Sequence, residues 1–175
     1  MTANEQAPDA VDRLLHFLPS WFGIESSIVE YVEAARQLPT YLAWPSSGAP
    51  ASGAAAGDAT LRPAGVLLAA RHFPGAAEIH LIAVEPSLHR HGVGRALVEA
   101  LEVDLIADQV SLLQVKTLGP SHPDAGYRET RRFYQRMGFQ PLEEIHGLWP
   151  ENPCLIMIKV IHAVMAGPGG SAEWR

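Results

Sequence analysis

Residues His89-Arg90-His91-Gly92-Val93-Gly94-Arg95 combine two glycines with four side chains that are or can become cationic. They follow the apolar run Glu78-Ile-His-Leu-Ile-Ala-Val-Glu-Pro86 and open directly into an amphipathic segment. Glycines that lead from a strand end into a helix let the backbone turn tightly. They also present the first helical N–H groups, which have no acceptor within the helix, to an anion. The chemistry expected is recognition of a phosphorylated ligand. A Walker loop requires Lys and Ser/Thr directly after its last glycine, whereas Gly94 is followed by Arg95 and Ala96. A dinucleotide fingerprint requires a third glycine three positions on, where this chain has Leu97.

A second segment carries further chemistry. Thr130-Arg-Arg-Phe-Tyr-Gln-Arg-Met-Gly-Phe139 reads as a helix with Tyr134 four residues before Gly138-Phe139. Together with the strand end Ala83-Val84-Glu85-Pro86 and the glycine loop, this order of motifs resembles the GCN5-related N-acetyltransferases (GNAT), in particular an uncharacterised bacterial branch. The resemblance spans Leu38 to about Ile161.

That resemblance implies an α+β fold, a mixed and mostly antiparallel central sheet flanked by helices, with strands four and five splayed apart. It implies acetyl-CoA, or a related acyl-CoA, as cofactor, and a small amine or protein amine as acceptor. Carried onto this chain, backbone amides of Ile82, Ala83 and Val84 would hold the carbonyl and the pantetheine arm. The loop His89, Arg90, His91, Gly92, Val93, Gly94 and Arg95 would take the pyrophosphate. His89 stands where the family usually has Gln or Arg, so CoA affinity is expected to be weakened rather than abolished, with room for a modest pH dependence. Tyr134 would meet the cofactor sulfur and protonate the departing thiolate. Some relatives draw a base from the strand before the loop, which makes His80 and Glu78 the candidates. Period-two alternation puts Glu78, His80, Ile82 and Val84 on one face of that strand and Glu85 on the other. The family's variable first helices and last hairpin point to Trp21, Phe22, Glu25 and Trp149 for the acceptor pocket.

Elements to position these residues follow from periodicity. Helices are expected over Asp9–Leu18, Glu25–Gln37, Gly94–Asp108 and Gly126–Met137, the third from Leu97, Val98, Leu101 and Leu105 on one face. Strands are expected over Thr40–Trp44, Ala64–His72, Ala77–Glu85, Ser111–Thr117, Phe139–Ile145 and Leu155–Ile161, with a turn at Phe73-Pro-Gly75 and the last two strands paired. The family's first strand, before the first helix, is not visible in the sequence. Pro45–Thr60, rich in Ala, Gly, Ser and Pro, reads as a low-complexity connection. Residues 1–165 read as a single acyltransferase domain and 166–175 as a disordered tail.

Composition sets the outer limits. A chain of 175 residues, 47% hydrophobic, accommodates one well-buried core. Its net charge of −6 argues against nucleic acid as a partner, leaving Arg90 and Arg95 as the local positive site for an anionic cofactor. One cysteine and a polar start, MTANEQAPDA, lead to the expectation of a cytoplasmic protein. No run reaches the roughly 20 apolar residues of a membrane span. The eight histidines lack the close helical spacing of zinc sites, so no metal is expected. Arg128, Arg132 and Arg136 form one helical stripe, with Arg131 beside it, away from Tyr134, and read as a solvated face. Cys154 opens an apolar strand and reads as a small hydrophobe.

The function expected is acyl-CoA-dependent N-acyl transfer to a primary amine by direct attack in a ternary complex, as a monomer or homodimer. A catalytically silent acyl-CoA sensor is the alternative, favoured by His89 and by Tyr127, where relatives often have Asn. An O-acyltransferase, or one using a longer acyl group, would carry the same fold and loop.

Overall fold

The computed structural model describes residues 2–19, 21–45 and 63–161. Seven strands form one sheet in the order β1-β2-β3-β4-β5-β7-β6: β1 (Thr2–Glu5), β2 (Thr40–Ala43), β3 (Gly65–Phe73), β4 (Ala76–Val84), β5 (Leu112–Leu118), β6 (Gln140–Trp149) and β7 (Asn152–Val160). Every neighbouring pair is antiparallel except β4 and β5, which α3 (Val93–Ala107) connects. A parallel pair requires such a crossover, whereas the β3–β4 and β6–β7 hairpins close through short turns. The fold is therefore the mixed, mostly antiparallel α+β sheet expected.

Helices cover both faces. On one, α1 (Pro8–His16) and α2 (Glu25–Ala34) seal Val66, Leu68, Leu81 and Ala83 with Val11, Leu14, Leu15 and Ile28. On the other, α3 lays Leu97, Val98, Leu101 and Leu105 against Leu67, Ile79, Leu113 and Met157. Complete burial of one such leucine contributes about 1.5–3 kcal/mol, so each stripe fixes its helix to the sheet. Then α4 (Ala125–Arg136) joins the α3 face through Tyr134, and Asp124 caps it by accepting from the Tyr127 N–H at 3.0 Å.

Two expectations need correction. The first strand is present: Thr2–Glu5 pairs antiparallel with β2, Thr2 opposite Leu42 and Glu5 opposite Thr40. Its sequence, Thr-Ala-Asn-Glu, has no apolar alternation, and backbone pairing suffices at a sheet edge. The second correction concerns β4, whose alternation is not continuous. Leu68 pairs with Leu81 and Ala69 with Ile79, leaving His80 as the extra residue of a β-bulge. Ala77 and Ile79 therefore face the α3 core, but beyond the bulge Ile82 and Val84 do. Glu78 thus lies on the sheet face opposite Ile82 and Val84, not with them.

The low-complexity connection expected over Pro45–Thr60 and the tail over 166–175 fall almost wholly outside the described residues. Among the described residues, no helix is long and apolar enough to cross a membrane.

Candidate functional site

Pro86 ends β4 and begins a short 3-10 turn, Pro86–Leu88, that feeds the glycine loop. Arg90 and Gly92 both adopt positive φ, 66° and 86°. The left-handed conformation at Gly92 starts α3 without a side-chain cap. The first intrahelical bond there runs from the Ala96 N–H to the Gly92 oxygen at 2.9 Å. Val93, Gly94 and Arg95 precede it, so their N–H groups lack intrahelical acceptors and add to the positive end of the helix dipole. A Cβ on Gly94 would stand 3.3 Å from the Phe133 ring, so α3 and α4 converge here. The Arg90 and Arg95 side chains are exposed, Arg95 at 3.9 Å from Glu99.

From this loop the gap between β4 and β5 opens. The two strands pair only from Ala76 opposite Leu112 to Ile79 opposite Val115. Beyond that point one edge of β4, His80 to Val84, has no strand partner, although its other edge remains paired to β3. A cavity of about 930 Å³ occupies the splay and reaches both faces of the sheet. On its β5 wall Thr117 Oγ1 is buried and has no hydrogen-bond partner among the described residues.

Tyr134 lines the same cavity from α4, only 4% exposed and packed against the Phe133 and Phe139 rings at 5.3 and 5.5 Å. Burial pushes its phenol far above the ordinary value, and the neighbouring phenols of Tyr31 and Tyr127 add to the shift. At neutral pH the hydroxyl is protonated and able to donate.

Residues of the α1–α2 side and of the β6–β7 turn complete the walls. Trp21, Phe22 and Trp149 line the cavity. Phe22 meets Tyr31 edge-on at 5.9 Å, and Tyr31 in turn meets His80 at 5.7 Å. Partial burial lowers the His80 pKa below its ordinary 6.5, against a smaller raising influence from Glu78, so the imidazole is neutral at pH 7. Glu78 is buried, which by itself would raise its pKa. Its Oε2 accepts from Lys116 Nζ at 2.7 Å, Gln114 Nε2 at 2.7 Å and His72 Nε2 at 2.8 Å, and these partners together hold the carboxylate ionised, with its pKa below the usual value.

The structure brings together Tyr134, His80, Glu78, Ile82, Ala83, Val84, His89, Trp21, Phe22 and Trp149 around one cavity. Glu25 stands apart, in the first turn of α2, where it meets His16 Nε2 at 3.2 Å. Tyr31, Lys116, Thr117 and Tyr127 also line the cavity and were not singled out from the sequence as site residues. Tyr31 follows Ile28 by three positions, so the inward helical stripe could have located it; no motif marks Lys116 or Thr117. Arg131 is not part of the solvated stripe: its Nη1 donates to the Leu118 oxygen at 2.7 Å and tethers α4 to β5. Cys154 is buried, and burial raises its thiol pKa. Among the described residues, no cluster of His, Cys, Asp and Glu is arranged to hold a metal.

A family profile described as "Acetyltransferase (GNAT) domain" matches residues 54–141, half of the chain. The chain belongs to the GNAT family. Solved GNAT folds superimpose over nearly all of it. A putative GNAT acetyltransferase from Desulfovibrio desulfuricans is 18% identical, with a TM-score of 0.71 over 92% of this chain and 99% of that one. Ard1 from Thermoplasma volcanium is 16% identical, TM-score 0.67, over 92% and 97%. An aminoglycoside 6'-N-acetyltransferase complexed with coenzyme A is 18% identical, TM-score 0.65, over 97% and 100%. No curated protein matches the sequence.

GNAT enzymes use acetyl-CoA, and the residues present fit it. The uncapped start of α3 offers N–H donors for a pyrophosphate, and the unpaired β4 edge offers backbone groups to an amide-bearing arm.

Proposed function

We propose that the protein is an acyl-CoA-dependent N-acyltransferase that moves acetyl from acetyl-CoA to a primary amine by direct attack within a ternary complex. The observation that carries this reading is a single cavity that joins the free edge of β4, the protonated Tyr134 hydroxyl and the neutral His80 imidazole. The cofactor supplies the activated thioester.

The loop from Arg90 to Arg95 binds the pyrophosphate through backbone amides, chiefly those of Val93, Gly94 and Arg95 at the start of α3, and Ile82, Ala83 and Val84 orient the arm. Tyr134 donates a proton to the leaving thiolate. His80 accepts a proton from the substrate ammonium, a task suited to a base whose pKa lies below neutrality. Glu78, held ionised by Lys116 and His72, is the weaker base and stabilises the imidazolium that His80 becomes. Trp21, Phe22 and Trp149, with Tyr31, contact the acceptor.

The acceptor is a primary amine: a small metabolite, an amino acid, a polyamine, or a protein N-terminus or lysine. Aminoglycoside-acetylating enzymes among the structural neighbours make polyamines a sensible first panel. The single cysteine, buried and unbridged, supports a reducing, cytoplasmic setting.

The test is thiol release from acetyl-CoA with an amine panel, run beside calorimetric binding. Tyr134→Phe is expected to lower kcat on the order of a hundredfold, the scale of general acid catalysis, with acetyl-CoA affinity retained. Binding of acetyl-CoA without turnover of any amine would leave the chain a cofactor sensor.

A further inference from the structure

His89 occupies the first position of the glycine loop, yet its side chain is engaged away from the anion cradle. Nε2 donates to the Val84 oxygen at 3.0 Å, closing the end of β4 against the loop. The ring meets Trp21 edge-on, with centroids 5.8 Å apart and planes at 70°. Trp21 lies in the connection between α1 and α2, on the acceptor side, and is 39% exposed. The His89 backbone oxygen accepts from His91 Nδ1 at 2.9 Å, inside the segment that leads to Gly92. One residue thus touches three parts: the strand that would orient the cofactor arm, the loop that would hold the pyrophosphate, and the aromatic wall of the acceptor pocket.

We infer that His89 is a positioning residue that couples occupancy of the cofactor loop to the placement of Trp21 over the acceptor pocket. This rests on the proposed reading of the loop as the pyrophosphate site. An anion drawn onto the Val93–Arg95 amides moves the loop, the imidazole moves with its backbone, and the edge contact passes that movement to Trp21. The Val84 oxygen holds the tautomer with a proton on Nε2, which keeps the ring in one orientation while the loop adjusts. A Gln in this position could still donate to Val84 but would have no ring to set against Trp21.

The test reads Trp21 directly. The chain has four tryptophans, so emission is recorded during coenzyme A titration of the wild type, Trp21→Phe, His89→Gln and His89→Ala. The wild type is expected to change its emission on saturation, the change to vanish in Trp21→Phe, and both His89 variants to lose most of it while binding coenzyme A within about twofold of wild type. In turnover, His89→Ala is expected to raise the acceptor KM about tenfold, a scale of 1.4 kcal/mol, with kcat altered less, and His89→Gln is expected not to restore it.

A His89→Ala variant that binds coenzyme A tenfold more weakly with the Trp21 signal intact would overturn the inference and make His89 a phosphate ligand. An unchanged signal and unchanged KM would overturn it as well. The emission experiment needs no turnover, so a protein that acetylates no amine sinks the transferase reading and still decides the coupling. A wild type that fails to bind coenzyme A sinks both.

Discussion

Towards the start of α3 the site is built of backbone: the free edge of β4, which lines the cavity, and beyond the cavity lining the amides of Val93, Gly94 and Arg95. Towards α2 the cavity walls are side chains drawn from separate elements: Trp21, Tyr31 and His80, with Lys116 and Trp149. Backbone is the same in every residue, so the first region depends on conformation, which glycines and a strand-ending proline announce. The second depends on which side chains the fold brings together across the sheet. One region suits an invariant cofactor and the other a variable acceptor.

The sharpest way to break this contrast is at Gly92. Its φ of 86° strains any side chain, but a Cβ there meets nothing within 4 Å. Gly92→Ala therefore measures strain alone and Gly92→Glu adds charge. The alanine variant is expected to keep acetyl-CoA affinity within about fivefold and the glutamate variant to lose it about a hundredfold, by calorimetry. Equal losses would show that loop geometry, rather than the electrostatic field, makes the cradle.

On the side-chain wall, His80→Gln is expected to lower kcat/KM on the order of a hundredfold and to leave acetyl-CoA affinity unchanged. In the wild type, burial favours the neutral imidazole, so activity should persist below pH 6.5 and fall only as acidification passes the lowered pKa. A pH–rate profile with the same acidic limb in His80→Gln would remove His80 as the base.

Glu78 links the wall to stability. Its folded pKa lies below 4.5, so the stabilisation from ionised Glu78 is fully present above about that pH and is lost as pH falls through the lower folded value. Glu78→Gln leaves Lys116 facing a neutral group and is expected to cost about 1–3 kcal/mol at pH 7 in urea unfolding, with the difference from wild type shrinking below pH 4.5. The smallest effect is expected from Arg131→Ala, about 1 kcal/mol of stability from the lost bonds to the Leu118 and Gly119 carbonyls. Arg128→Ala, on the exposed stripe, should be neutral within about 0.5 kcal/mol.

The same contrast explains what the sequence could reveal. Helix stripes such as Leu97, Val98, Leu101 and Leu105 are periodic because one face is buried, so α3 is legible to within a residue at each end. The edge strand Thr2–Glu5 is held by backbone pairing and leaves no apolar pattern to read. Period-two reasoning places Glu78 correctly relative to Ala77 and Ile79, then fails at His80, because a bulge changes the phase of alternation without a marker residue such as glycine or proline. Glu25 is assigned to the acceptor pocket only by its place in the family's variable first helices; nine positions back along the chain, His16 takes it. Lys116 acquires its place only once β5 lies beside β4 and brings it to Glu78.

The bulge at His80 divides β4 into two half-strands that are out of step by one residue. The half before it aims Glu78 into the polar cluster with Lys116, and the half after it turns Ile82 and Val84 towards α3. Straightening the strand with position 80 kept in the ladder would force either Glu78 into the α3 core or Ile82 out of it, whereas deleting position 80 would leave both on their present faces. The chain thus carries a deliberate miscount at its centre, which lets the two half-strands diverge independently.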